Sequence, residues 1–237
     1  MLDLGSGTGS NLRWLAPRLG GAQAWTLVDH DAALLARAVA TGVERVPGVA
    51  SVARVRGDLA REGLAAVASA QLVTASALLD LVSEAWLHRL ADACRDAGSA
   101  ALLALSWDGM IGWTAPARAR ADPDGAFVRD AVCAHQGRDK GTGPALGPAA
   151  GAAAERAFAA RGMRTWVRPS PWELDAADAA LAVALVDGWA DAAAAQVPDG
   201  AARARGWAER RRADVRAGRF GLVVGHVDLL ALPAETG

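Results

Sequence analysis

The chain has 237 residues and a mass of 24.3 kDa, enough for one well-packed α/β domain with some length left for insertions. Its 25 Lys and Arg residues nearly balance its 26 Asp and Glu residues, so the charge gives no indication of a nucleic-acid partner or of an anionic membrane surface. The longest apolar runs fall far short of a bilayer span, and no basic segment precedes an apolar leader. We therefore expect a cytoplasmic protein with no membrane partner.

The two cysteines, Cys94 and Cys133, fall in segments predicted as helices and show no metal-ligand spacing. This pattern favours a reducing compartment over a disulfide framework, and it predicts no metal site.

The first half of the sequence alternates strand and helix signals. Strands are predicted at 2–4, 24–28, 51–55, 71–75 and 99–105, and helices at 10–19, 32–41, 60–68 and 83–97. Five such repeats predict a parallel sheet with helices on both faces. Ligands of these sheets bind at the carboxyl ends of the strands, where the unusual residues of this sequence cluster.

The second half shows fewer regular signals. Residues 106–125 are rich in turn formers, including Gly109, Gly112 and Pro116, and predict a loop in which Trp107 and Trp113 are pocket candidates. Helices are predicted at 126–135 and 149–161, and strands at 163–167 and 221–232. A capping box at 170–173 predicts a helix that begins there and reaches Gln196. We expect one domain over 1–237, with substrate-side insertions at 108–148 and 170–218.

Several residues of this half are interpreted as structural. Trp189 and Trp207 stand at helical positions and are expected in the core. His226 alternates within a strand and is expected to be packed and hydrogen-bonded. A basic helix is expected to present a solvated face, with binding of an acidic substrate as the alternative; its arginines are Arg203, Arg205, Arg210, Arg211, Arg212 and Arg216.

A glycine-rich turn follows the first predicted strand in LDLGSGTGS, residues 2–10. Dinucleotide-binding enzymes use G-x-G-x-x-G at this place, whereas here the glycines give G-x-G-x-G and position 10 is Ser. Asp3 would repel a pyrophosphate, but it would attract the ammonium group of an amino-acid-like ligand.

The D-L-G-S-G-T-G segment resembles the first motif of class I S-adenosylmethionine-dependent methyltransferases. The resemblance implies a Rossmann-like doubly wound sheet, mostly parallel, with an antiparallel last strand and a helical insertion before it. It also implies S-adenosyl-L-methionine as cofactor, with Asp29 on the ribose hydroxyls, Asp58 on the adenine amino group and Leu59 on the ring. The segment LVTASALLDLVS is similar to small-molecule methyltransferases of the trans-aconitate and malonyl-carrier-protein type. The implied cofactor residues are Asp3, Gly5, Ser6, Gly7, Gly9, Asp29, His30, Asp58, Leu59, Thr74, Ala75 and Ser76.

Each acidic residue of this set also has a structural interpretation. Asp29, followed by Asp31, is compatible with a helix cap, and so is Asp58. Their coincidence with the glycine turn and with strand ends favours the cofactor site. Members of the family carry a helical segment before the first strand, so we expect a start upstream or a truncated copy, and weak cofactor binding by the chain as given.

The segment HQGRDK, residues 135–140, is the predicted site of substrate chemistry, because it offers a base and charges of both signs between glycines. His135 is the predicted base for an alcohol or amine acceptor, Asp139 its orienting partner, and Lys140 is the only lysine of the chain. A solvated loop is the alternative. The sequence thus predicts transfer of a methyl group to the oxygen or nitrogen of a small-molecule acceptor. A non-catalytic cofactor-binding protein and a nucleotide-dependent oxidoreductase are the alternatives.

Overall fold

The computed structural model describes residues 1–114 and 122–234, and these residues form one sheet of eight strands. The strands are β1 (Leu2–Leu4), β2 (Gln23–Asp29), β3 (Val49–Arg56), β4 (Leu72–Ser76), β5 (Ala100–Thr114), β6 (Arg164–Pro169), β7 (Trp172–Leu174) and β8 (Gly221–Leu232). The order is β3-β2-β1-β4-β5-β8-β6, with β7 also paired to β8. Strands β1 to β5 are parallel and β8 is antiparallel to its neighbours, so the expected doubly wound sheet is confirmed.

Helices connect the strands and cover both faces of the sheet. They are α1 (Ser10–Leu15), α2 (Ala32–Ala40), α3 (Leu64–Ala66), α4 (Glu84–Ala97), α5 (Pro123–Gln136), α6 (Ala150–Ala159), α7 (Ala179–Gln196) and α8 (Ala201–Arg216). The helix predicted at 83–97 is confirmed as α4, and both of its ends are capped: Ser83 accepts a hydrogen bond from the Trp86 N–H, and Gly98 ends the helix in the left-handed conformation. Within the described residues, no helix combines the length and apolarity that a bilayer crossing requires.

The alternation of side chains along each strand divides the apolar residues between two cores. On β4, Val73 and Ala75 face the core that α4 and α6 cover, while Leu72 faces the core that α1 and α2 cover. On β5, Leu103 likewise faces the core that α4 and α6 cover, and Leu102 faces the core that α1 and α2 cover. Successive strand side chains point to opposite faces, which is why a strand between two helical layers is apolar along its whole length.

A third core lies where β5 and β8 extend beyond the parallel strands. The helices α5, α7 and α8 pack there against this extension, with Trp189 and Trp207 buried among them as expected. Trp113 contacts the edge of the Trp207 ring, at 6.4 Å between centroids. Helices α5, α7 and α8, which lie in the segments predicted as insertions, therefore form one helical layer at the end of the sheet. That these segments are insertions stays a prediction.

Two element predictions are wrong. The segment predicted as a loop after the fifth strand continues β5 as far as Thr114, so Trp107 and Trp113 lie in a strand and pack in the third core. Their role in a pocket stays a prediction. Pro116 lies outside the described residues. Cross-strand pairing with β8 replaces the turns that the glycines suggested, because each β5 residue from Ile111 to Thr114 finds a partner there.

The capping box predicted at 170–173 is also absent. The Ser170 N–H donates to the His226 carbonyl, and Trp172 pairs with Val224, so this segment extends along β8 as β7. The capping box lies instead at Asp175 and Asp178, immediately before α7. A free edge of β8 was available to the segment, and tertiary pairing of this kind overrides local propensity.

The basic helix α8 does not present a purely solvated face. Arg203 and Arg210 bind Asp124, and Arg211 binds Asp122, both on or beside the first turn of α5. Arg212 binds Asp187 of α7. These arginines hold α8 against its neighbours, while Arg205 and Arg216 are exposed.

Candidate active site

The glycine turn joins β1 to α1 through three residues with positive φ: Gly5 at 62°, Gly7 at 51° and Gly9 at 76°. A side chain at Gly9 would lie 2.6 Å from the Val43 side chain, whereas a side chain at Gly7 would meet open space. Gly9 therefore gives the close helix packing that the last glycine of G-x-G-x-x-G provides in dinucleotide-binding enzymes. The open side of Gly7 leaves room for a ligand.

Asp3 lies fully buried beneath this turn. Its Oδ1 accepts a hydrogen bond of 2.8 Å from Asn11 Nδ2, which also donates to Thr74 Oγ1 at 3.1 Å. Its Oδ2 has no partner among the described residues, and neither does the buried hydroxyl of Ser6 in the same turn. Burial raises the pKa of Asp3 to about 7. A buried carboxyl oxygen without a partner is costly, which indicates that a donor from a ligand completes the site.

The helix-cap interpretation of this segment applies to Asp31 and not to Asp29. Asp31 caps α2, because its Oδ1 accepts hydrogen bonds from the Ala33 and Leu34 N–H groups. Asp29 accepts instead from the Gly7 N–H at 2.8 Å and from the Asp31 N–H at 2.9 Å. Each carboxylate oxygen has a second lone pair, so Asp29 keeps capacity for two hydroxyl donors.

A cavity of about 440 Å³ opens beside this turn and is here called the turn cavity. It is lined by Gly5, Asp29, His30, Asp58, Leu59, Ala77, Leu78, Leu81, Val82, Lys140, Gly141 and Thr142. Asp58 is exposed at its rim and also caps the next turn, because its Oδ1 accepts a 2.6 Å hydrogen bond from the Ala60 N–H. The cap interpretation of Asp58 is therefore confirmed, and its contact with the cofactor stays a prediction. His30 is exposed, with its Nδ1 3.5 Å from Asp29 Oδ1.

A second cavity, of about 580 Å³, is here called the Asp228 cavity. It is lined by Ser10, Asn11, Trp14, Ser76, Leu102, Ala104, Leu105, Ser170, Trp172 and Asp228. The two cavities both lie at the end of β4, since Ser76 lines this one and the next residue, Ala77, lines the turn cavity. An elongated ligand with one end in each cavity therefore passes the carboxyl end of β4.

Two residues in this region adopt left-handed backbone conformations. Ala77 has φ of 54° and Leu105 has φ of 53°, although neither is a glycine. Such conformations cost of order 1 to 3 kcal/mol and are concentrated at functional sites. At Leu105 the register of β5 against β8 shifts, and its N–H donates to Asp228 Oδ1 at 2.8 Å.

The structure separates the three residues predicted for substrate chemistry. Lys140 lines the turn cavity, whereas His135 lies near the end of α5 and lines neither cavity. Burial, followed by the charges of Lys140 and Arg138, lowers the pKa of His135. Asp139 Oδ1 accepts from the Gly141 and Gly143 N–H groups and shapes the loop. The catalytic assignment of these residues stays a prediction.

Sequence reasoning missed four side chains of the Asp228 cavity: Asn11, Trp14, Trp172 and Asp228. Asp228 carried a usable signal, because it is the one acidic residue of an otherwise apolar strand, in VVGHVDLL. His226 of the same strand is packed as expected, with its Nδ1 3.0 Å from the Val224 carbonyl. Burial lowers the pKa of His226. Of the other residues missed, Trp172 depends on the pairing of β7, and Asn11 and Trp14 depend on which face of α1 borders the cavity. Both are tertiary features.

Comparison with known proteins gives a family match and a fold match. A family model described as a methyltransferase domain matches residues 1–98. A protein described as a candidate methyltransferase from Bacillus halodurans C-125 superposes with a TM-score of 0.55 at 13% identity, over 98% of this chain and 92% of that chain. A SAM-dependent methyltransferase from Geobacter sulfurreducens, in complex with S-adenosyl-L-homocysteine, has a TM-score of 0.44 at 17% identity, over 98% and 83% of the two chains. No curated protein matches the chain.

Proposed function

We propose, from the methyltransferase domain model that matches residues 1–98, that the chain is a class I S-adenosylmethionine-dependent methyltransferase and that it methylates an oxygen or nitrogen of a small-molecule acceptor. The observation that carries the proposal is the presence of two cavities at the carboxyl end of β4. One has the residues expected for an adenosine group, and the other, of about 580 Å³, has room for a small-molecule acceptor.

The residues around the turn fit the cofactor. The unpartnered Asp3 Oδ2 is suited to its ammonium group, and Asp29 retains acceptor capacity for two ribose hydroxyls. Asp58 and Leu59 line the cavity where the adenine would lie, and Thr74, Ala75 and Ser76 form the end of β4 beside the amino-acid part. His30 lies at the rim. When bound, S-adenosylmethionine supplies a methyl group on a positively charged sulfur.

The protein itself contributes position and charge. An acceptor held in the Asp228 cavity would lie beside Ser76 at the end of β4, next to the side on which the cofactor would supply its methyl group. Holding two reactants in such a geometry supplies a large part of the rate of a bimolecular transfer, with effective molarities of roughly 10⁵ M or more. His135, with Asp139 and Lys140, remains the sequence-based candidate for the base that an alcohol or amine acceptor requires.

Two measurements test the proposal. Calorimetry with S-adenosylmethionine and with NAD should show binding of the first and none of the second. Incubation with S-adenosylmethionine and a metabolite extract should release S-adenosylhomocysteine and give a product heavier by one methylene group. Binding of NAD alone contradicts the proposal, and cofactor binding without any methylated product supports the non-catalytic alternative.

A further inference from the structure

The described residues that line the Asp228 cavity include an acidic side chain and no basic one. Of these described residues, Asp228 alone carries an acidic side chain; the rest are apolar, aromatic or neutral polar groups. A carboxylate or phosphate on the acceptor would find no cation among these lining residues and would face Asp228 in a partly desolvated space. The cavity therefore disfavours acidic acceptors.

Asp228 is held in one orientation. Its Oδ1 accepts hydrogen bonds from the Leu105 N–H at 2.8 Å and from the Ser170 hydroxyl at 2.7 Å. The described residues give its Oδ2 no hydrogen bond. One oxygen is thus used to fix the carboxylate, and the other is available to a ligand, which is the arrangement expected of a preorganised recognition group.

Two tryptophan rings border the same cavity. Trp172 is half-buried and its ring lies 4.8 Å from the His226 ring, so its position is fixed by packing. Trp14 is 59% exposed and already holds a cation, since the Arg18 guanidinium lies 4.1 Å from its ring centroid. Aromatic rings beside a carboxylate are the chemistry that recognises organic ammonium groups.

We infer that the acceptor is an amine with an apolar body, recognised as its ammonium form by Asp228 Oδ2 and the tryptophan rings. This inference rests on the proposed function. The ammonium gives one proton to Asp228, and the freed nitrogen lone pair forms the new bond to the methyl carbon as the carbon–sulfur bond breaks. The bond electrons stay on sulfur, so S-adenosylhomocysteine leaves neutral at sulfur. The nitrogen takes over the positive charge, and Asp228 later returns its proton to water.

A matched series of probes tests this inference on protein saturated with S-adenosylhomocysteine. The probes are 2-phenylethylamine, 2-phenylethanol and phenylacetate, which have similar apolar bodies and differ in charge. We expect the amine to bind at least tenfold more tightly than the alcohol, and phenylacetate to bind least. Calorimetry measures the three affinities.

The variant Asp228→Asn separates recognition from structure, because an Asn keeps the Oδ1 acceptor for Leu105 and Ser170 and removes only the charge. It should lose the preference for the amine while keeping the melting temperature and the affinity for S-adenosylhomocysteine. Asp108→Asn is the matched control, since it removes a charge from β5 at an exposed residue outside the lining.

Three results would overturn the inference: equal binding of amine and alcohol, no binding of the amine at millimolar concentration, or an unchanged amine preference in Asp228→Asn. All three leave the proposed function standing when S-adenosylhomocysteine binds. Failure of S-adenosylmethionine and S-adenosylhomocysteine to bind at all rejects the proposed function itself, so the two failures are distinguishable.

Discussion

Asp3 couples cofactor binding to pH. Burial raises its pKa to about 7, so the side chain is neutral in acid and ionised in base. An ammonium group nearby favours the ionised form, and below pH 7 the carboxyl group must first lose its proton. We therefore expect the affinity for S-adenosylmethionine to fall by up to roughly tenfold per pH unit below pH 7 and to change little just above it. Calorimetry between pH 5.5 and 8.0 measures this, and the variant Asp3→Asn should show weaker binding with a flat profile.

Stability measurements on Asp3→Asn give the control for folding. In the unliganded protein a raised carboxyl pKa means that the folded state binds more protons than the unfolded state between the two pKa values. The free energy of unfolding therefore falls as pH rises from about 4 to about 7 on account of Asp3. Asp3→Asn should be at least as stable as the wild type at pH 8. A variant that is less stable there would show that Asp3 is a structural residue.

Asp29 and Asp31 stand two positions apart and provide a matched pair of substitutions. Asp29→Ala removes the acceptor of the Gly7 N–H and of the expected ribose hydroxyls, and should weaken S-adenosylmethionine binding roughly a hundredfold, or about 3 kcal/mol. Asp31→Ala removes the α2 cap and should cost about 1 kcal/mol of stability with cofactor affinity nearly unchanged. Calorimetry and urea unfolding measure the two quantities. Equal loss of affinity in both variants would contradict the division of roles.

At the scale of elements, the contact between α5 and α8 depends on Arg211. Its side chain is only 6% exposed, binds Asp122, and lies with its guanidinium 4.4 Å from the Trp113 ring centroid. Arg211→Met keeps much of the volume but leaves Asp122 uncompensated, and should cost about 3 to 5 kcal/mol of unfolding free energy. Arg205→Met, an exposed position on the same helix, should cost less than about 0.5 kcal/mol. Urea unfolding measures the free energy of unfolding of both variants. Similar losses in Arg211→Met and Arg205→Met would argue against a structural role for the Arg211–Asp122 ion pair.

Prediction of elements from the sequence succeeded where local signals and tertiary pairing agree. The ends of α4 are an example, because Ser83 and Gly98 fix them within the chain itself. It failed at β7, where the sequence of residues 170–173 satisfies a helix start but the edge of β8 offers hydrogen bonds that a helix would leave unmade. It failed again at the end of β5, since glycines that suggest turns are tolerated in a strand that is paired on β8.

At the scale of the whole molecule, two residues compete for the role of base. His135 was predicted from residue type, and its lowered pKa keeps it able to accept a proton near neutral pH. Asp228, in contrast, lines the cavity proposed for the acceptor. We expect His135→Ala to retain turnover within a few-fold and Asp228→Asn to lose it by 10² or more, a typical contribution of a general base. Release of S-adenosylhomocysteine with the identified acceptor measures both, and a hundredfold loss in His135→Ala would establish the sequence-based prediction.

The site is assembled at one edge of the sheet from segments far apart in the chain. The turn after β1, the ends of β2 and β4, the bulge of β5 and the middle of β8 all contribute to the two cavities. Parallel strands bring their carboxyl ends to one edge, which is why the segments that follow β1, β2 and β4 come together there. The antiparallel β8 adds Asp228 to the same region because it runs back beside β5.

The sequence by itself determined where the candidate cofactor site lies. The glycine turn, Asp29 and Asp58 stand at the ends of consecutive β-α units, so local periodicity and a short motif suffice to place them. Only the tertiary structure decided the acceptor half. Trp14 and Asp228 are 214 positions apart in the chain, with Trp172 between them. Their arrangement around one cavity depends on strand pairing and on a register shift at Leu105. No local pattern encodes such contacts, because they form only when the sheet closes β8 against β5 and β7.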